Sequence, residues 1–153
     1  MATLSAPAPA RLALVLGTRL HGRAAFVPLA VRLAAGAVFL AFSVGKFARH
    51  GAEAAALDRY GIPYPDQLTS LVGLLEAGGG LLLVSGRLTR PAALALAGNM
   101  AVAIVTAGRV EGGPVHLGLA PALLAAMLFL LWAGPGRASL DARLLRRLSG
   151  PAA

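Results

Sequence analysis

Glu76 is the residue whose type and position most strongly suggest chemistry. It lies at the centre of an apolar stretch, residues 66–86, ten residues from either end. A stretch of this length matches the hydrocarbon core of a bilayer, which is about 30 Å thick and takes about 20 residues of helix. A carboxyl group at that depth is costly to insert and marks a site that binds a ligand, carries a proton or pairs with another polar group. Glu76 is therefore the first candidate for a functional site.

Three polar residues in the neighbouring apolar stretches are the predicted partners of Glu76. Arg32 lies about four residues inside the first stretch, about 9 Å in depth from Glu76, which a long side chain on a tilted helix can span. Asn99 lies near the middle of the third stretch and can donate an amide hydrogen bond. Lys46 lies farther out, where a lysine typically extends to the interface as an anchor. We predict that these residues and Glu76 form an intramembrane polar cluster.

This predicted cluster permits two interpretations. In the first, Glu76 and Arg32 form a structural ion pair that fixes the register of two helices without any turnover. In the second, the carboxyl group of Glu76 binds a ligand or exchanges a proton. The residue types alone leave both interpretations open.

Small residues share the helix face of Glu76. Thr69, Gly73 and Gly80 lie seven and three residues before it and four residues after it, which places all three on one side of a helix. Small side chains along one stripe let a second helix approach closely in a membrane. We therefore predict that this face packs against another helix and is not exposed to lipid.

The composition excludes several kinds of chemistry. The chain contains no cysteine, so disulfides, thiol catalysis and cysteine-ligated clusters are excluded. His50 and His116 have no partner at a ligand spacing, so we expect no metal or haem site. The net charge is +8, but the arginines are scattered between apolar stretches without interleaved aromatic residues, so we expect no nucleic-acid partner.

Four apolar stretches dominate the sequence. The 153 residues are 58% hydrophobic and only 13% charged, which is far from the composition of a soluble protein. The surplus of apolar side chains must face lipid, so the bilayer is the first expected partner. We predict an all-α bundle of four transmembrane helices. The membrane domain comprises residues 28–134, between a tail of residues 1–27 and a tail of residues 135–153. Its four spans lie at about 28–47, 66–86, 91–108 and 115–132.

The distribution of basic residues predicts the orientation. Nine arginines lie on the side of the two tails, and four basic residues lie on the other side. Lysine and arginine concentrate on the cytoplasmic side of membrane proteins, so we predict that both termini are cytoplasmic and that the membrane is the inner, or plasma, membrane. The nine are Arg11, Arg19, Arg23, Arg87, Arg90, Arg137, Arg143, Arg146 and Arg147, and the four are Lys46, Arg49, Arg59 and Arg109.

These features together resemble the DoxX family of small bacterial four-helix membrane proteins. The resemblance covers about residues 32–141, and it rests on the order and spacing of short motifs, each of which is weak alone. The matching residues are Arg32, Gly45-Lys46, Gly61-Ile62-Pro63 with Pro65, Glu76 with Gly79-Gly80, Gly86, Thr89-Arg90, Gly134-Pro135-Gly136-Arg137 and Ser139-Leu140-Asp141.

The resemblance implies a fold more firmly than an activity. The family is named after a component of a quinone-linked oxidase system, which implies an accessory or assembly subunit of a membrane redox complex that contacts a quinone-like ligand. The implied partners are membrane oxidoreductase subunits or further copies of the chain. The alternative is a small transporter or channel in which Glu76 is the substrate or proton site. Neither a nucleophile, a metal set nor a nucleotide motif points to a self-contained catalytic activity, and the residues alone indicate no cofactor.

Overall fold

The computed structural model describes residues 15–148, and nearly all of these residues are helical. The helices are α1 (Phe26–Ala48), α2 (His50–Arg59), α3 (Pro65–Ser85), α4 (Thr89–Val105), α5 (Ala107–Val110), α6 (Ala120–Ala133) and α7 (Leu140–Leu148). A short 3₁₀ turn, Gly22–Ala25, leads into α1, and a π-helical turn, Val115–Leu119, leads into α6. Residues 15–148 contain no β-strand, which confirms the all-α fold class.

Within residues 15–148, four helical segments are long and apolar enough to cross a membrane, as the sequence predicted. They are Gly22–Ala48, Pro65–Ser85, Thr89–Val110 and Val115–Ala133. The first differs most from its predicted bounds, because the turn before α1 continues into the helix without a break. The third joins α4 to α5 across an interruption at Thr106. The orientation of these segments in the membrane stays a prediction.

Proline and glycine set the ends of the second segment. Pro65 is the first residue of α3, where its missing N–H group would have no helical partner in any case. Gly86 ends the same helix with a φ of +67°, in the left-handed region that favours glycine. Three residues, 86–88, join α3 to α4. The second and third segments are therefore antiparallel neighbours.

Two pairs of helices, α1 with α3 and α4 with α6, make the most extensive contacts in the bundle. Gly36 on α1 and Gly80 on α3 approach so closely that a Cβ atom on either glycine would lie 3.0 Å from the carbonyl oxygen of the other. Close approach of this kind supplies dispersion contacts, which drive helix association where lipid removes the hydrophobic effect. The contact between α1 and α6 is much less extensive, and a cavity lies there.

The apolar core extends along the bundle between its four long segments. Its largest fully buried side chains are Phe39 on α1, Leu83 on α3, Leu96 on α4, and Met127 and Leu130 on α6. Leu83 and Leu130 lie near the end of the bundle where α3 ends and α4 begins, whereas Phe39 lies deeper.

Residues 15–25 and 134–148 pack against one end of the bundle, which we call the tail end. The N–H group of Arg19 donates to the carbonyl oxygen of Ala133 at 2.9 Å, and the N–H group of Arg137 donates to that of Ala25 at 3.0 Å. The opposite end, formed by α2 and residues 106–119, we call the mouth end. The two ends differ in charge and in packing.

Residues 135–148, predicted to be a cytoplasmic tail, fold back onto the bundle. The carboxylate of Asp141 accepts hydrogen bonds from the N–H groups of Leu88 at 2.8 Å and Thr89 at 2.9 Å. The first N–H groups of a helix have no partner within the helix, so a carboxylate there stabilises the start of α4. Residues 1–14 and 149–153 of the two predicted tails lie outside the described residues.

Candidate functional site

Glu76 lies where three helices meet. Its side chain is almost completely buried on α3, with 3% of the residue exposed. The amide nitrogen Nδ2 of Asn99, on α4, donates to Oε1 of Glu76 at 3.1 Å. The ammonium nitrogen Nζ of Lys46, on α1, lies 3.4 Å from Oε2 of Glu76. The carboxyl group is therefore held between a neutral donor and a cation from two different helices.

Lys46 also connects Glu76 to the mouth end. Its Nζ lies 3.7 Å from Oε2 of Glu53 on α2, so the ammonium group lies between two carboxylates. Lys46 was expected to extend to the membrane interface as an anchor. Instead, its side chain is largely buried and points towards Glu76. An ammonium group that meets a buried carboxylate compensates part of the cost of burying both charges.

The predicted pairing of Arg32 with Glu76 is wrong. Arg32 is fully buried on α1, but its guanidinium group points to the tail end. Nη1 donates to the carbonyl oxygen of Pro135 at 2.7 Å, and Nη2 donates to that of Ala138 at 3.4 Å. These carbonyl groups follow the end of α6 and have no helical partner, so they attract the donors of the nearest cation. Arg32 therefore holds the turn after α6 and is not part of the site around Glu76.

Two of the three small residues of α3, Gly73 and Gly80, lie at its contact with α1. A Cβ atom at Gly73 would lie 3.0 Å from the ring of Phe47 and 3.3 Å from Cβ of Lys46. Gly80 meets α1 at the crossing described above, and Thr69 is fully buried. The close approach at Gly73 places the backbone of α1 near enough to α3 for Lys46 to reach Glu76.

A cavity opens from Glu76 towards the mouth end. Its inner part has a volume of about 150 Å³ and is lined by Lys46, Glu76 and Asn99. The outer part has a volume of about 530 Å³ and is lined by charged and aromatic residues of α2 and of the segment before α6. Glu53, Tyr60 and His116 line both parts, together with Lys46. We call the two parts together the mouth cavity.

An apolar pocket lies beside the mouth cavity, between α1, α4 and α6. Its volume is about 90 Å³. Lys46, Glu76 and His116 line its polar side, and its apolar side is lined by Phe39, Phe42, Met100, Leu119 and Leu123 among others. Because α1 and α6 make few contacts with each other, this pocket lies on the loosely packed side of the bundle. A molecule with a polar head and an apolar body fits this combination of walls.

An ion pair crosses the opening of the mouth cavity. Nη2 of Arg59 donates to Oε1 of Glu111 at 2.8 Å, which links the end of α2 to the turn after α5. The hydrogen bond from Arg59 holds the pKa of Glu111 below its usual range, and burial raises the pKa of Tyr60 to about 12. At neutral pH, Glu111 is therefore ionised and Tyr60 keeps its hydroxyl proton.

Part of the site comes from α2 and from Tyr60, which follows it, and neither Glu53 nor Tyr60 is among the site residues predicted from the sequence. Glu53 and Tyr60, together with Ala56, face the mouth cavity. Their spacing of three and four residues places them on one helix face, and this pattern was available in the sequence. His116 and Glu111 gave no such signal, because only the packing of residues 106–119 against α2 brings them to the cavity.

The polar groups of the site can bind the head of a ligand. Oε2 of Glu76 is buried, and its nearest polar neighbour is the ammonium group of Lys46 at 3.4 Å. Lys46 provides a cationic donor, and Nε2 of His116 provides an acceptor, because its Nδ1 donates to the carbonyl oxygen of Gly112 at 3.3 Å. No three histidine, aspartate or glutamate side chains within residues 15–148 lie close enough together to hold a metal ion.

Comparison with known proteins identifies similar sequences. Residues 27–109 match the family model described as DoxX, a range that includes Arg32, Lys46, Glu76 and Asn99. The chain is also similar to an uncharacterized membrane protein of Mycobacterium tuberculosis, with 35% identity over 142 residues that cover 84% of this chain and 87% of the relative. No solved structure shows a significant match.

Proposed function

Because the chain belongs to the DoxX family of membrane proteins, we propose that it is an accessory or assembly subunit of a membrane redox system and binds a quinone-like molecule beside Glu76. One observation carries this proposal. The buried Lys46–Glu76 pair lies at the junction of a polar cavity and an apolar pocket. A quinone likewise combines a polar part and an apolar part, since it carries two polar carbonyl groups on an apolar body.

The side chains present at the junction fit such a head group. The ammonium group of Lys46 donates a hydrogen bond to a carbonyl oxygen of the ligand. When the ligand is reduced, its hydroxyl group donates to Oε2 of Glu76, beside Lys46, or to Nε2 of His116, whose Nδ1 donates to the carbonyl oxygen of Gly112 at 3.3 Å. A bound quinone would supply two-electron chemistry, and the protein would orient its head group and exchange protons with it. The apolar body would lie against Phe42 and Leu123.

The proposed location is the inner membrane, with the tail end on the cytoplasmic side. Arginines concentrate at that end, as the positive-inside rule requires for a cytoplasmic face. The mouth cavity then opens on the opposite side of the membrane. Membrane oxidoreductase subunits, or further copies of this chain, are the proposed protein partners.

The first experiment measures equilibrium binding of a short-chain benzoquinone to the full chain in lipid nanodiscs. We expect saturable binding to the natural protein and binding weakened about tenfold or more in Glu76→Gln, since a hydrogen bond to a charged group contributes about 1.5–3 kcal/mol. Asp66→Asn is the matched control, because it makes the same chemical change at an exposed residue of α3 that does not line the cavities. Equal binding by both variants, or no binding by the natural protein, would contradict the quinone proposal.

The transport alternative rests on a different observation. Glu76, Lys46 and Glu53 form a continuous line of charged groups from the middle of the bundle towards the mouth end. Beyond Glu76, the tail half of the bundle is closed by side chains such as Leu83 and Leu96. Transport would therefore require this packing to open. Proton or cation flux into vesicles containing the natural chain, abolished in Glu76→Gln, would favour this alternative over the redox role.

A further inference from the structure

The tail end carries many cations and almost no accessible acid. Of the six acidic residues in the chain, Asp141 is the only one in the segments that form this end. Asp141 is 2% exposed, and its carboxylate is bonded to two backbone N–H groups of the bundle. None of the ion pairs among the described residues lies at this end. Among the described residues, eight arginines lie at this end and outside the interior of the spans. They are Arg19, Arg23, Arg87, Arg90, Arg137, Arg143, Arg146 and Arg147.

A pocket lies among these cations, between the segment before α1 and the segment that leads into α7. Its volume is about 220 Å³. Two hydrogen bonds tie its walls together: the N–H group of Gly136 donates to Oγ1 of Thr18 at 2.9 Å, and that of Arg137 donates to the carbonyl oxygen of Ala25 at 3.0 Å. Gly136 has a φ of +72°, so the close turn at this wall favours glycine. The pocket is therefore built by tertiary contacts between residues far apart in the sequence.

The polar side chains that line this pocket are those of Thr18, His21, Arg137 and Arg146, and each of them has a group that can donate a hydrogen bond. Arg146 is exposed on α7, and Arg137 lies with its guanidinium carbon 5.0 Å from the ring centre of Phe26. Neither guanidinium group pairs with a carboxylate among the described residues. Thr18 accepts the hydrogen bond from Gly136 and keeps its own hydroxyl proton to donate. Two guanidinium groups and a hydroxyl group around one pocket suit a phosphate, which accepts several charge-assisted hydrogen bonds.

Apolar side chains stand exposed at the same end. Phe26 is 51% exposed and Val27 is 49% exposed at the start of α1, and Leu140 and Leu144 are exposed one turn apart on α7. Exposed leucines beside exposed arginines are typical of a helix that lies at a membrane interface. A free phosphate ion would make no use of these apolar groups. A phospholipid would place its phosphate in the pocket and its acyl chains along α1.

We propose that the pocket lined by Thr18, Arg137 and Arg146 binds the head-group phosphate of an anionic phospholipid, with Phe26 and Val27 against its acyl chains. Occupancy would link the segment before α1 to α7 through one lipid molecule. The site is separate from the mouth cavity, which lies at the opposite end of the bundle.

The test counts lipids bound to the full chain by native mass spectrometry during titration with dioleoylphosphatidylglycerol or dioleoylphosphatidylcholine, which share the same acyl chains. We expect the natural protein to retain the anionic lipid preferentially. We expect the double variant Arg137→Gln with Arg146→Gln to bind the anionic lipid about 30-fold more weakly than the natural protein, because each basic residue contributes a factor of about five. Arg146→Gln alone should lose about fivefold, and folding is preserved because this side chain makes no hydrogen bond to a described residue.

The control variant carries Arg87→Gln and Arg143→Gln. It removes the same charge from exposed residues of the same end that do not line the pocket. We expect its loss of affinity to be under about fivefold, because neither side chain lines the pocket and exposed charges outside it are partly screened. Equal losses in the two double variants would show diffuse attraction and overturn the proposal. Equal retention of the two lipids, or displacement of the bound lipid by inorganic phosphate alone, would also overturn it.

Discussion

Two buried cations on α1 have different roles. Lys46 points towards a carboxylate in the membrane interior, and Arg32 points towards the carbonyl groups of the turn after α6. Their roles follow from what each side chain can reach. A lysine near the mouth end meets Glu76 and Glu53, whereas an arginine near the tail end meets unpaired carbonyl oxygens. The chemistry of the candidate site is therefore that of a lysine and a glutamate, without the arginine.

For single residues, we make a prediction about the buried ion pair of Lys46 and Glu76. Lys46→Met leaves the carboxylate of Glu76 buried with only Asn99 as a partner, and removal of one member of a buried pair costs about 3–5 kcal/mol. We expect a markedly lower midpoint of thermal unfolding in detergent. Adding Glu76→Met should restore most of the loss, because apolar residues of similar volume replace such pairs at little cost. A single variant as stable as the natural protein would contradict the buried ion pair.

At the scale of elements, α2 and α7 are short helices that complete opposite ends of the bundle. α2 contributes Glu53 to the mouth cavity, Tyr60 follows it there, and the last residue of α2, Arg59, pairs with Glu111 across the opening. α7 contributes Asp141, which holds the start of α4. Neither helix is long enough to span a membrane, yet each fixes residues that belong to longer helices.

The prediction for α7 concerns the contact of Asp141 with α4. Asp141→Ala removes the acceptor for the N–H groups of Leu88 and Thr89, and loss of such a contact at a helix start costs about 0.5–2 kcal/mol. We expect a lower unfolding midpoint and faster hydrogen exchange at the start of α4. Asp58→Ala is the control, because Asp58 is exposed on α2 and forms no ion pair with a described residue. Equal stability of the two variants would show that the contact contributes nothing.

At the scale of the whole molecule, charge and packing divide the bundle into two ends. Acids and bases are both present at the mouth end, whereas the tail end is strongly basic. The cavities around Glu76 lie towards the mouth end, and a separate pocket lies at the tail end. The site around Glu76 is therefore accessible from the mouth end and from the gap between α1 and α6.

The prediction at this scale concerns orientation. The chain contains no cysteine, so a single introduced thiol reports its own side of the membrane. Asp58→Cys, at the mouth end, should react with an impermeant maleimide in intact cells, whereas Arg143→Cys, at the tail end, should react only after permeabilisation. Both residues are exposed, so access to the thiol is limited by the membrane alone. The reverse pattern of labelling would contradict cytoplasmic termini.

The long helices could be predicted from the sequence, because their apolar stretches and their glycine and proline boundaries are local properties. Glu76 and Asn99 could be predicted as well, since a polar residue within an apolar stretch is visible without any contact. The face of α3 that carries Gly73 and Gly80 follows from helix periodicity.

Which cation meets Glu76 depends on how the helices pack, and the sequence does not show it. Arg32 and Lys46 both lie on α1 within reach of a helix neighbour, and their partners depend on which groups lie next to each side chain after folding. The positions of His116 and Glu111 beside the mouth cavity also depend on packing, because residues 106–119 turn towards α2 only in the folded bundle. The packing of residues 135–148 against the tail end is a third contact of this kind. A long side chain can reach several different residues, so the spacing of residues along the chain does not determine its contacts. The packing of the helices determines them.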